Sequence, residues 1–249
     1  MQTKPKITVI TVAYNAKSLI EQTIKSVLQQ TLPGVEYILI DGASADGTLE
    51  LIEKYHSQLT VYSEKDKGIY DAMNKGLEKA TGEYILFLNA GDQFAEPTTL
   101  ANIFATAPSA DVYYGNTKII DKAGNTLGDR RLKPPASLNW KSLRFGMCVS
   151  HQSFIAKREL CEAYNLSYKI SADIDWMIRV LKKSQKIVNV HQTISKFLEG
   201  GTSTKRRKLA LKERFWIMMV HYGFIQTVCN HLYILIRYPF HKIFRKSMS

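Results

Sequence analysis

Carboxylates and amides recur in this chain at one kind of place, the first residues after an apolar run. Asp41 follows residues 37–40, Asp66 follows 59–63, and Asn89 and Asp92 follow 84–88, in the segment FLNAGDQF. Asp41 has two readings. It is an Asx-turn carboxylate serving its own loop, among Gly42, Ser44 and Asp46, or an acceptor for a ribose hydroxyl or a base N–H. Asp92 is either a turn residue or a ligand for Mg²⁺ or Mn²⁺. Such ions are commonly held by one or two carboxylates plus substrate phosphates, and would neutralise charge on a diphosphate leaving group. Asp173 and Asp175, in SADIDWMIR, stand at the start of a helical pattern and, two apart, do not share a face. One suits helix stabilisation and the other is a candidate general base. His151, in SHQSF, is a base or hydrogen-bond donor to substrate, or a structural histidine. Asp71, Asn74 and Lys75 lie on a helix opened by Gly68, where Asp71 and Lys75, four apart, also suit a surface ion pair. His191 reads as structural, and Trp176 and Met177 as core or cleft wall. No GxGxxG or GK[ST] pattern occurs, which argues against a dinucleotide cofactor or a phosphate loop.

Strands alternating with helices would place these residues together. KITVITVAYN reads as a strand and residues 18–31 as a helix by apolar spacing, with Ser18 and Glu21 as a capping box. Short strands follow at 37–40, 59–63 and 83–88, with helices at 48–55 and 69–80. That alternation predicts an α/β fold with a mostly parallel central sheet flanked by helices, and ligands then sit beyond the carboxyl ends of its strands. Further on, 111–121 suggests a strand or hairpin and 130–140 an irregular loop. CVSHQSFIAKREL reads as a strand entering a helix, and 174–181 as another helix.

Hydrophobic residues make up 45% and charged residues 22% of 249, the balance of a folded protein. Three widely spaced cysteines fit a reducing compartment, and no secretory signal is visible. The formal net charge of +12 is concentrated in the last 45 residues, where ten basic residues face one acidic residue, Glu213. Residues 215–236 are apolar and aromatic but interrupted by His221, Gln226, Asn230 and His231. An interfacial helix or hairpin, with Arg237, Lys242, Arg245 and Lys246 on anionic headgroups, suits this pattern better than a membrane span. A helix packed on the sheet or on a second subunit is the alternative, so a homo-oligomer is compatible with the sequence. No helix-turn-helix, zinc-finger or ribonucleoprotein motif is present, which argues against a nucleic-acid partner.

TVAYN, LIDGASADGT, EKDKGIYDAMNKGLEKATGEYILFLNAGD and SADIDWMIR together resemble family 2 glycosyltransferases of the GT-A fold, in particular bacterial enzymes building capsule, O-antigen or exopolysaccharide. The resemblance runs from about residue 6 to 203. It implies a GT-A domain over 1–204 and a basic, aromatic, helical, membrane-associating extension over 205–249. The implied enzyme is metal-dependent and inverting, and moves one sugar from a nucleotide-diphosphate sugar, a UDP-sugar by this resemblance, to a glycan or polyprenyl-diphosphate-linked acceptor. Its place is cytoplasmic, peripheral on the inner face of the cytoplasmic membrane. Carried over by motif, the backbone near Thr11, Ala13 and Tyr14, with Asp41 and Asp66, holds the nucleotide. Asn74, Lys75, Asn89 and Gly91 are placed with the donor site, and Asp92 takes the metal position with Mn²⁺ or Mg²⁺. Asp173 becomes the base and Asp175 an acceptor-orienting residue, with His151 beside them. Asn89 and Gly91 stand where the family has carboxylates, and Ala172 where it has a glutamate, so a sugar-nucleotide-binding scaffold without chemistry is the rival reading. EGGTST replaces the processive QxxRW motif, which disfavours a polymerase. Residues 130–146, irregular and Pro-containing, are the candidate closing loop.

Overall fold

A computed structural model of the protein describes residues 5–200 and 206–234. Strand β1 (Ile7–Ala13) has all seven residues buried and lies at the centre of the parallel half of the sheet. It pairs in parallel with β2 (Val35–Asp41) on one side and β4 (Tyr84–Phe87) on the other, and β3 (Thr60–Ser63) continues the parallel order beyond β2. Helices α1 (Ile20–Leu28), α2 (Thr48–Ile52) and α3 (Ile69–Lys79) make the connections. Successive residues of β1 point to opposite faces, so Val9 joins one core with Ile20, Ile24 and Leu39, while Ile10 joins another with Met73, Ile40 and Phe87. Gly76 lets α3 approach closely, since a Cβ there would stand 2.4 Å from Ile10.

The second half of the sheet is mixed. After the two-residue β5 (Gln93–Phe94) and α4 (Thr99–Thr106), strand β6 (Val112–Ile120) turns back through β7 (Thr126–Asp129) as an antiparallel hairpin. Strand β8 (Phe154–Lys157) runs antiparallel to both β4 and β6, and β9 (Ile187–Leu198) runs parallel to β6 and antiparallel to β5. Between β8 and β9 lies α5 (Ala172–Lys183). Helix α6 (Arg207–Tyr222) follows, and residues 224–234 are again helical.

Two local expectations change, and one strand goes unread in the sequence. The Ser18–Glu21 capping box does not form: α1 begins at Ile20 without a side-chain cap, and Glu21 pairs instead with Lys25 and the Tyr55 hydroxyl. The residues after β8 make only a short 3₁₀ turn, Arg158–Leu160, rather than a helix. Twelve-residue β9 lacks a clean alternation because the ladder shifts near Asn116 and His191 takes φ +51°, so its sequence hides it.

An aromatic cluster seats α5. Trp176 is buried, stacks on Tyr164 at 5.2 Å, and meets Phe87 and Phe154 edge-on. Tyr70, at the start of α3, stacks on Tyr164 in turn. Part of the candidate closing loop is regular: residues 140–145 form a 3₁₀ helix with an Asn139–Ser142 capping box, and Trp140 stacks on Tyr222 at 5.4 Å.

The expected boundary between residues 204 and 205 falls in a stretch outside the described residues. Helix α6 itself packs on the body through Ala210, Glu213, Ile217 and Met218. The buried Glu213 carboxylate accepts the amides of Lys169, Ile170 and Ser171 at 2.7, 2.9 and 2.9 Å, immediately ahead of α5.

Candidate active site

The carboxyl ends of β1 to β4 converge on one rim, as a parallel sheet requires. At the end of β2, Asp41 is fully buried. Its Oδ2 accepts the Ser44 amide at 3.0 Å and the Ser63 hydroxyl at 2.7 Å, and Oδ1 accepts the Ser44 hydroxyl. The Asx turn is therefore built, and it clamps the loop after β2 onto the end of β3. That loop is tied to the one after β1: Asn15 Oδ1 accepts the Ala45 amide at 3.0 Å, and the Ala16 amide donates to Thr48 at 2.8 Å. Asn15 and Ala43 both take left-handed φ, +47° and +59°.

The clamped loops leave an open shelf. The Tyr14 ring is 67% exposed, and both it and an Asp66 carboxylate oxygen press against Gly42, where a Cβ would meet them at 3.2 and 2.4 Å. Asp66 also receives the Gly68 amide at 2.8 Å. Thr11 and Ala13 lie beneath the shelf: Thr11 Oγ1 donates to the Leu88 carbonyl at 2.8 Å, and the Ala13 carbonyl accepts the Gly42 amide. Lys75 reaches the neighbouring loop, donating to the Lys65 carbonyl at 2.9 Å with Glu64 at 3.5 Å and Asp71 at 3.9 Å. Asn74 does not face the shelf; both ends of its amide hold the Tyr164 backbone, at 3.0 and 2.7 Å.

Beyond β4 the chain turns sharply. Gly91 has φ +97°, and a Cβ there would lie 2.7 Å from Leu198. Backbone and packing together exclude a carboxylate at this position. Asp92 turns inward: it is 3% exposed, and its oxygens accept Gln152 Nε2 at 2.8 Å and the Leu198 amide at 3.0 Å. Burial pushes its carboxyl up to about 6 against those hydrogen bonds. The expectation that Asp92 ligates Mn²⁺ or Mg²⁺ does not fit this environment, because two N–H donors already face a desolvated carboxylate. The groups at the mouth of the turn, Asn89 Oδ1 and His151, are neutral or basic. Among the described residues, no three His, Cys, Asp or Glu side chains gather as a metal site.

What does gather is a relay. Asn89 Nδ2 lies 3.2 Å from His151 Nε2, and His151 Nδ1 lies 3.3 Å from Asp173 Oδ2. Asn89 Oδ1 is buried without a partner among the described residues. Asp173 Oδ1 receives the Ile174 amide at 3.0 Å and has the Tyr70 hydroxyl at 3.3 Å, although that hydroxyl donates primarily to the Ile170 carbonyl at 2.8 Å. Burial alone would raise the Asp173 carboxyl. The hydrogen bond and charge of His151, the charge of Arg214 and the Ile174 amide outweigh it and hold the carboxyl below its ordinary value.

Asp175, two residues on, faces the other way. It binds Arg179 at 2.9 Å and His221 of α6 at 2.8 Å, and is 5% exposed. The structure thus joins Asn89, His151 and Asp173 at one centre, sets Tyr14 and Asp66 on the shelf, and puts Asp175 on the far side of α5. Sequence reasoning missed Gln152 and Tyr70, which stand inside the SHQSF and KGIYD segments beside residues it singled out, and Arg130 and Arg214, which stand in none of the quoted motifs; only the fold brings all four near.

The family model described as "Glycosyl transferase family 2" matches residues 8–164. A PGL/p-HBAD biosynthesis glycosyltransferase of Mycobacterium bovis (strain BCG / Pasteur 1173P2) is 28% identical over 208 residues, covering 79% of this chain and 78% of the relative. TuaG of Bacillus subtilis (strain 168), provisionally named a teichuronic acid biosynthesis glycosyltransferase, is 26% identical over 243 residues, 91% of this chain and 96% of its own. Among solved structures, Staphylococcus aureus TarS 1–349 in complex with UDP superposes with a TM-score of 0.68 at 19% identity, over 87% of this chain and 65% of that one. The mannosyltransferase PcManGT from Pyrobaculum calidifontis, in complex with GDP-Man and Mn²⁺, gives 0.66 at 19% identity, over 94% and 70%. Those two likenesses establish the GT-A-like fold.

Proposed function

The chain belongs to glycosyl transferase family 2, and from that premise we propose that it transfers a single sugar from a nucleotide-diphosphate sugar, with UDP as the nucleotide, to a glycan or lipid-linked acceptor in bacterial surface-polysaccharide synthesis. The observation that carries this reading is the Asn89–His151–Asp173 relay at the end of β4, with Asp173 kept ionised and 15% of its side chain exposed. Asp173 takes the proton of an acceptor hydroxyl as its oxygen attacks the anomeric carbon. The bond from that carbon to the diphosphate oxygen breaks, the diphosphate leaves with the electron pair, and configuration inverts. His151 fixes the carboxylate's orientation and Asn89 fixes the imidazole. Tyr14 offers a ring face to the base, and Asp66 with the backbone around Gly42 offers acceptors to the nucleoside. Asn74 and Lys75 act behind this surface as positioning residues, and Asp175 braces α5 against α6.

The direction of the relatives' names supports a surface-glycan acceptor. The exposed side chains of the last helices support attachment at a membrane surface: Trp216, Val220, Phe224 and Ile225 are 50, 69, 63 and 79% exposed. No described helix is long and apolar enough to cross a membrane. The basic residues Arg237, Lys242, Arg245 and Lys246, on which headgroup contact was expected, lie outside the described residues, as do residues 201–204 of EGGTST.

The test is a panel of UDP-sugars with a lipid-diphosphate-sugar acceptor, run in Mg²⁺, Mn²⁺ and EDTA beside Asp173→Asn. Sugar transfer by the wild type that falls by about 10²–10⁴ in the variant is the expected result. Transfer that survives the substitution removes Asp173 from the mechanism.

A further inference from the structure

Two guanidiniums near the base form no ion pair among the described residues. Arg214, on α6, is half-buried; its Nε is fully buried without a hydrogen bond, and the side chain makes no hydrogen bond or ion pair among the described residues. Arg130, half-buried at the end of the β6–β7 hairpin, donates one hydrogen bond among the described residues, to the Met147 carbonyl at 3.2 Å, and forms no ion pair among them. It lines a surface recess with Asn116, Lys133 and Ser150, adjoining His151. Asp129 at the same recess is already paired with Lys118 and Lys133.

All 22 Asp and Glu side chains lie among the described residues. The charge of Asp173 bears on both arginines, and theirs on each other. One carboxylate, Asp173, faces two like charges in a partly buried site, one of them with a stranded N–H, and a second anion would complete the balance. Guanidiniums bind phosphoryl oxygens through paired, charge-assisted hydrogen bonds. The turn after β4, meanwhile, presents no carboxylate to carry a divalent ion.

We propose that Arg130 and Arg214 form a phosphoryl-binding clamp next to Asp173, which neutralises a substrate phosphate without a metal ion. The phosphoryl group is the donor's diphosphate or a phosphate on the acceptor. The clamp deepens the glycosyltransferase reading and rests on it for the identity of the ligand.

The experiment is calorimetric titration of the full chain with inorganic pyrophosphate and with UDP, both in EDTA, for wild type, Arg130→Gln, Arg214→Gln and the corresponding lysine variants. Each glutamine variant, folded by circular dichroism, should bind pyrophosphate roughly tenfold more weakly or worse, with partial recovery in lysine. A matching loss for UDP identifies the donor diphosphate. Unchanged UDP affinity, with a raised KM only for phosphate-bearing acceptors, identifies the acceptor. Folded variants that bind both ligands and both acceptors like the wild type overturn the clamp. Arginine-dependent pyrophosphate binding by a wild type that transfers no sugar overturns the glycosyltransferase reading and leaves the clamp standing.

Discussion

Replacing Glu213 by alanine should loosen the catalytic carboxylate from a distance. Glu213 sits on α6, buried, and its two oxygens accept three consecutive amides, those of Lys169, Ile170 and Ser171, just before Asp173 enters α5. Hydrogen bonds to a charged group contribute about 1.5–3 kcal/mol each, so three give roughly 5–9 kcal/mol as an upper bound. The contacts share one carboxylate and are not additive, and the freed amides regain water as the loop relaxes. A loss of about 3–5 kcal/mol is the reasoned value, a large part of the ~5–15 kcal/mol that holds a domain folded. Glu213→Gln keeps one carbonyl oxygen, so it should lose about half as much. Urea unfolding measures both, and hydrogen exchange at residues 169–174 locates the effect. A change below about 0.5 kcal/mol for alanine, the range of ordinary surface substitutions, refutes the view that α6 is part of the catalytic body.

Other consequences can be checked alongside. Asp92 titrates at about 6 when folded, against an ordinary 3.8, so the folded state holds the extra proton between those values and loses stability as pH rises through them. The unfolding free energies of wild type and Asp92→Asn should therefore diverge by about 2 kcal/mol from pH 4 to pH 7, and parallel curves would contradict the burial argument. Gly91→Ala forces a side chain into φ +97° against Leu198 and should cost about 1–3 kcal/mol by thermal or urea unfolding. His151→Phe should lower kcat by about 10–100-fold and move the acid limb of the kcat/KM profile to higher pH, because burial then raises Asp173 against only the Arg214 charge and the Ile174 amide. Trp216→Ser with Phe224→Ser should weaken cosedimentation with anionic vesicles while leaving turnover of a soluble acceptor unchanged.

Much of the parallel half was legible before any coordinates. The β-branched run of β1, the apolar spacing of α1 and α3 and the turns after 41, 63 and 88 are local signals. A parallel sheet converts them directly into one rim of polar residues. Asp173 and Asp175 were separable by helical geometry alone, and the structure sends them to opposite sides of α5. The second half was less readable. Strand β8 pairs with residues some forty to seventy positions earlier, and β9 carries a shift and a left-handed residue that erase alternation.

Residue types and spacing determined which groups could serve as base, nucleotide acceptor and turn, because those choices depend on chemistry and near neighbours. Tertiary structure decided how each group is used, because solvation and charge depend on residues distant in the chain. Asp92 lost its candidacy for a metal when Gln152 and Leu198 enclosed it. Asp41 was drawn into an Asx turn and onto Ser63. Asp173 acquired His151, Tyr70 and the field of Arg214 only when helices from three parts of the chain closed around it. A carboxylate's role follows from what desolvates it and what donates to it, and here the deciding partners, Ser63 for Asp41, Gln152 and Leu198 for Asp92, and His151 and Tyr70 for Asp173, lie 22 to 106 residues away.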